Sequence, residues 1–426
     1  MLQGRCGSGW FRGLLLLSFL PAALLPSPGF CAAPAPRFEV PINQKASDIL
    51  PPQFLSGPHF RVRERVVSYG YMHHFTVDSD FGVFETTGDF ALRKLVREIG
   101  AIAALHQVKR GEAYAQGLKK AASQPLEFGA NLVTDPVDTI SGIPKGINRL
   151  FENVKTGLTS KSQPGEDGKV EQALAVSSNK RELARRLGVD VYSSNSVLQK
   201  ELNSVAWATT LGSLTLTAAL APVGGPAVAA VSATRTAQQV SDIVNEYPPQ
   251  RLRQMNEEKL RTMGVSPGLI AQFLDHPVYT PTHDTVIVGC LDALSGAKGR
   301  EAFLQLALAA DGEETANFFQ NMAETMRYYH LKVSPLREIS VYGPLAFSEA
   351  ANGTTLISFP LDHGVWTERA AQRVPGVISA YKSAHPRSKN LEVWVTGTLS
   401  PMAKKELNKL GVRVVEKVSG QIEFVY

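Results

Sequence analysis

Acid–base chemistry needs a histidine or carboxylate within hydrogen-bond reach of a hydroxyl or of the proton it moves. The densest run of such groups follows two strand-like segments late in the chain. Asp362-His363-Gly364 comes after residues 354–359, and Thr396-Gly397-Thr398 with Ser400 comes after residues 391–395. Tyr342 ends a further strand-like segment, 339–342. Ligands of open α/β sheets bind beyond the carboxyl ends of the strands, which nominates Asp362, His363 and Thr398 as catalytic candidates. Ordinary loop chemistry competes with that reading. Sequence neighbours such as Asp362 and His363 seldom form a dyad, Asp and Gly turn the chain, and Ser400 before Pro401 caps a helix.

Metal chemistry has less to stand on. His73-His74 lies near Asp78 and Asp80, but adjacent residues of a strand point to opposite faces and make poor joint ligands. His276 and His283-Asp284 sit at helix boundaries. HExxH, CxxC, GxSxG, Walker A, GxGxxG and the kinase motifs are all absent from the sequence. No metal and no cofactor is expected, and the commonest hydrolase, nucleotide and dinucleotide classes are disfavoured.

The elements that position these residues begin after a leader. Arg5 and Arg12 precede an apolar core over residues 14–25, followed by Pro26, Ser27, Pro28 and Gly29. Positive end, short apolar core and small-residue exit mark residues 1–31 as a secretory signal peptide. The formal net charge of +5 drops by two when Arg5 and Arg12 leave, too mild for a nucleic-acid binder. Of three cysteines, Cys6 and Cys31 go with the leader. Cys290 alone cannot form an internal disulfide, and an exported fold held by its core suits a periplasm or cell envelope.

Residues 32–58 read as a proline-rich tether. Residues 59–158 read as a β-hairpin, turning at Asp78-Ser79-Asp80-Phe81-Gly82, followed by amphipathic helices. One stripe is Leu92, Leu95, Val96, Ile99, Ile102 and Ala103; another, in 144–158, is Ile147, Leu150, Phe151, Val154 and Leu158. Composition makes 159–169 a linker. Residues 170–331 read as all helix, with Asn179/Glu182 and Ser196/Gln199 as capping pairs and Ser266-Pro267 and Thr280-Pro281 as starts. From 333 to 426, strand, helix, strand, helix and strand alternate, with last strands at 412–416 and 422–426, which implies a small α/β domain with a mixed sheet. The fold expected is α+β and multidomain: an N-terminal β-hairpin, a predominantly α-helical middle and a C-terminal α/β domain.

The uncharged stretch 203–234 raises a membrane reading. Its first half, 205–221, would span ~25 Å as a helix, short of the ~30 Å hydrocarbon core. Thr, Ser and Gly dilute it and Pro222-Val223-Gly224-Gly225-Pro226 interrupts it, so a closely packed small-residue hairpin is the preferred reading. The helix at 144–158 carries Lys145, Arg149 and Lys155 opposite its stripe, as a membrane-surface helix or an ordinary core helix would. The functional expectation is an exported cell-envelope protein that binds a partner, a membrane surface or another envelope protein, without catalysis and without nucleic acid. The alternative is a periplasmic hydrolase-like enzyme using the strand ends of the C-terminal domain.

Overall fold

The computed structural model describes residues 38–69, 71–111, 114, 167–210, 235–388, 390–422 and 424–425. The leader expected at 1–31, the helix expected at 144–158, most of the linker expected at 159–169 and the segment 211–234 lie outside the described residues.

The described chain is mixed α/β. An N-terminal region contains β1 (Gln44–Lys45), α1 (Ala46–Ile49), α2 (Pro52–Leu55), β2 (Ser56–Gly57), β3 (Phe60–Val62), β4 (Arg65–Tyr69), β5 (Met72–Ser79) and β6 (Gly82–Thr87). The expected hairpin is β5–β6, in register from His74↔Thr87 to Ser79↔Gly82. It belongs to a six-stranded antiparallel sheet, ordered β1-β4-β5-β3-β2 with β6 on the other edge of β5. Residues 44–57 are part of this sheet and its core, which corrects the tether reading. Ala46, Leu50 and Phe54 are buried against Val66, Phe75 and α3 (Asp89–Arg110). The prolines here stop and start one-turn helices around apolar anchors, a role that composition alone does not distinguish from a spacer.

The helical middle comprises α4 (Asp167–Leu187), α5 (Ser196–Thr210), α6 (Arg235–Glu246), α7 (Pro249–Thr262), α8 (Pro267–Leu274), α9 (Pro281–Ala293), α10 (Arg300–Ala307) and α11 (Glu313–Lys332). The cap-plus-proline starts hold: Ser266 accepts from the Leu269 N–H, and Thr280 and His283 form a capping box. Two expected caps move. Residue 179 lies inside α4, where the Asn179 amide donates to Thr210 Oγ1 at 2.9 Å. The N-terminus of α5 is capped by Asn195, whose Oδ1 accepts from the N–H groups of Val197 and Leu198. Val205, Ala206 and Ala208, the start of the uncharged stretch, are buried in a core shared by α3, α4 and α5. Among the described residues no helix is long and apolar enough to cross a membrane.

The last part holds β7 (Leu336–Tyr342), β8 (Leu345–Ala350), β9 (Thr354–Ser358), β10 (His363–Gly364), α12 (Glu368–Ala384), β11 (Asn390–Trp394), β12 (Thr398–Leu399), α13 (Pro401–Lys409) and β13 (Val412–Val415). The sheet is mixed: β13, β11 and β9 are parallel, and β8 and β7 continue it antiparallel. Every residue of β9 is buried, as a strand covered on both faces requires. On one face Leu336, Ile339, Leu356 and Trp394 join a core with Phe303, Met322 and Tyr329. On the other, Phe347, Ile357 and Val393 pack with Ile378 and Tyr381 of α12 and Ala403 of α13. Residues 422–426 were expected as a strand. Ile422, Phe424 and Val425 instead fill the helical side of the core, with the Val425 N–H donating to Glu324 and its carbonyl accepting from Gln320. Alternating apolar residues serve either role, and here two α11 side chains replace a partner strand.

Candidate functional site

The strand ends do assemble the groups named from sequence. β10 and β12 pair in parallel, His363 beside Thr398, and His363 Nδ1 lies 2.9 Å from Thr398 Oγ1. Thr396 Oγ1 donates to the Leu361 carbonyl and accepts from the Leu361 N–H. At Gly397 the backbone presses on the Asp362 carbonyl, leaving no room for a Cβ. Ser400 caps α13 by accepting from the Ala403 N–H. Tyr342 is drawn elsewhere. Its hydroxyl meets His385 Nε2 at 3.0 Å, and His385 Nδ1 meets Glu349 at 2.7 Å. This Glu349–His385–Tyr342 chain, invisible as a spacing in the sequence, holds the end of α12 onto β7 and β8.

Asp362 does not orient His363. Its carboxylate turns to the N-terminal sheet, with Oδ2 accepting from the His73 N–H at 2.9 Å and Oδ1 from the Asp89 N–H at 3.2 Å. Asp89 opens α3 behind Gly88, whose φ of +97° only glycine adopts readily. The Asp89 carboxylate sits 3.0 Å from His73 Nδ1, which is 3.8 Å from Asp362. The backbone also crosses: the Tyr71 carbonyl accepts from the N–H groups of both Asp362 and His363. Tyr71 is held at φ +88°, an uncommon conformation for a bulky residue. Nearby, Glu39 accepts from the Trp366 N–H and from Ser400 Oγ. Residues 39 and 71–73 therefore pack against the strand ends and leave His363 and residues 396–398 half-buried.

This packing explains the protonation of the cluster. Burial, with the Asp89 charge added, pushes the Asp362 carboxyl up to about 7. Burial pulls His73 down, but the Asp89 hydrogen bond and the charges of Asp362 and Asp89 outweigh it and the net shift is upward. His73, Asp89 and Asp362 are the group among the described residues whose ligand atoms converge as a metal ion would need, all within 4.8 Å. The chemistry fits a held proton better. Both Asp362 oxygens already accept N–H groups. A metal-bound histidine donates its other ring N–H to an acceptor, whereas the buried His73 Nε2 has no hydrogen-bond partner. The sequence pointed to Asp78 and Asp80 as neighbours of His73, but these pair with Arg63 and His59. Reading the site as a clasp makes His363 secondary. His363→Ala is expected to cost about 1 kcal/mol, the worth of one hydrogen bond, measurable by urea denaturation; a loss above about 3 kcal/mol would make His363 part of the clasp.

An open site lies on the other side of β5–β6. A cleft of about 880 Å³ is bounded by β6, α3, residues 193–196 and the first turn of α11. His74, facing away from His73, lines it with Thr87, whose hydroxyl lies 2.9 Å from His74 Nδ1. At the α3 wall Lys94 reaches Asp190 at 3.4 Å. Glu98 accepts from Ser193 Oγ at 2.6 Å and from the Asn195 amide at 3.0 Å. Asp190 also accepts from Thr282 Oγ1 and from the Tyr192 N–H. Burial raises the Glu98 carboxyl above its ordinary value, opposed by Lys94. Lys94 is pulled down by burial, but Asp190, Glu98 and Glu313 outweigh this and keep it charged. These residues come from segments about a hundred positions apart, and the sequence signal for them was no more than polar interruptions in the stripe of α3. No family model, curated protein or solved structure matches the chain.

Proposed function

We propose that the chain is an exported, non-enzymatic binding protein of the cell envelope that takes a polar ligand in the cleft between β6, α3 and residues 193–196. The observation that carries this reading is the cleft itself. Its volume of about 880 Å³ falls in the range of ligand pockets, roughly 300–1,000 Å³. Its wall has charged and hydroxyl groups fixed by hydrogen bonds, as a preorganised polar site requires. Export is supported by the leader pattern of residues 1–31. The hydrolase reading has weaker support, because Asp362 accepts from two backbone donors and does not orient His363.

The test is a thermal-shift panel of sugars, amino acids, amines and short peptides on wild type and Ala91→Trp. Ala91 lines the cleft from an incompletely buried helix position, so the indole occupies the cleft without disturbing the core. A ligand is expected to raise the wild-type Tm and leave that of A91W unchanged. A panel with no hit, or a hit that shifts both proteins equally, sinks the reading.

A further inference from the structure

We propose that the ligand is an extended peptide, which adds as a strand to the outer edge of β6, unpaired among the described residues, and sets basic side chains against an acidic wall. This rests on the cleft being the binding site and names what it binds.

β6 pairs with β5 along its length and with no other strand among the described residues. In an antiparallel ladder alternate residues direct their N–H and C=O groups away from the partner, so the outer edge of β6 is a template for another chain. Residues of both faces of β6 line the cleft: Phe84 and Thr86 from one, Glu85 and Thr87 from the other. Four successive residues of this outermost strand therefore border the cleft. These four residues of β6 offer about 14 Å of edge at ~3.4 Å per residue, room for a short segment in the strand-addition mode of peptide recognition.

Charge selects the side chains. Among the bases of the cleft, Lys94 is held by Asp190 and Arg63 by a two-pronged contact with Asp78. Arg65 shares the cleft with Glu85, Glu314 and Glu313, of which Glu313 also acts on Lys94 and accepts from Ser194 Oγ at 2.7 Å; Glu313 and Glu314 lie in the first turn of α11. That balance favours lysine or arginine on the incoming strand and disfavours acids.

The probes are three amidated hexapeptides with an N-terminal fluorescein, alternating Val with Lys, with Ser or with Glu, into which the full chain is titrated with fluorescence polarisation as the readout. Hydrogen exchange of β6 is followed in parallel. The Lys peptide is expected to bind at least ~10-fold tighter than the Glu peptide, to slow exchange at alternate residues of β6, and to lose binding when alternate backbone nitrogens are methylated. Replacing Glu313 and Glu314 by Gln should remove most of the preference for Lys. Tolerance of N-methylation at every position, or preference for the Glu peptide, overturns strand addition. If no peptide binds while a small molecule stabilises wild type but not A91W, the peptide inference fails and the cleft reading stands. If nothing binds, both fail.

Discussion

Asp362→Ala is expected to lower the unfolding free energy by about 3 kcal/mol, because two buried donors lose their acceptor at once, each costing roughly 1–3 kcal/mol. The side chain is 7 % exposed, so water cannot readily replace it at the His73 and Asp89 N–H groups. The loss should also depend on pH in a defined direction. Asp362 binds its proton more tightly folded than unfolded, because burial and Asp89 disfavour its charge, and His73 is likewise shifted up. A group with a raised folded pKa contributes stability that is complete below its unfolded pKa and fades as pH rises through the folded one. For Asp362 that window runs from the ordinary carboxylate value of 3.8 up to about 7. Urea denaturation of wild type and D362A across this window should show the wild-type advantage shrinking as pH rises. An advantage that grows with pH would mean that His73 holds Asp362 ionised, and the clasp would then be an ion pair.

Asp190→Ala should be at least as costly, about 3–5 kcal/mol, the usual effect of removing one partner of a buried charge pair. The Asp190 side chain is 2 % exposed and the Lys94 side chain 13 %. Alanine leaves Lys94 without its nearest carboxylate and strands the Thr282 hydroxyl and the Tyr192 N–H. Asp190→Asn keeps an acceptor for those two donors and should cost about half as much, the remainder reporting the charge. Guanidinium denaturation of the two variants separates these contributions. Because Asp190 anchors the segment leading to Ser193 and Asn195, which hold Glu98, D190A should also weaken binding in the cleft. A D190A protein within 1 kcal/mol of wild type would mean that water enters the network and that the cleft wall is not preorganised.

Much of the local structure was legible along the chain. The stripe from Leu92 to Ile102 became the buried face of α3, and Ser266, Thr280 and Ser400 cap helices as serine and threonine before proline should. Such signals lie within a few residues, where spacing maps directly onto a helix face or a cap. Local pattern does not separate two outcomes that share it. Asn179 looks like a cap and is interior to α4 because apolar contacts on both sides carry the helix through it. Residues 422–426 look like a strand, whereas Ile422, Phe424 and Val425 pack into the helical core. Residues 44–57 look like a spacer until Phe54 and Leu50 are seen in the core.

The site divides along the same line. From the order of its residues alone, the chain determined which side chains sit at the strand ends, that His73 and His74 face opposite ways, and that β5 and β6 turn back on one another. Only the tertiary structure decided their roles. Asp362 meets residues 289 and 273 positions away, and Lys94 meets a carboxylate 96 positions away. Contacts at such separations are set by how sheets and helices pack around shared cores, and no local spacing encodes them. The same packing turned Asp362 toward His73 and Asp89 and set residues 84–87 of β6 on the wall of the cleft.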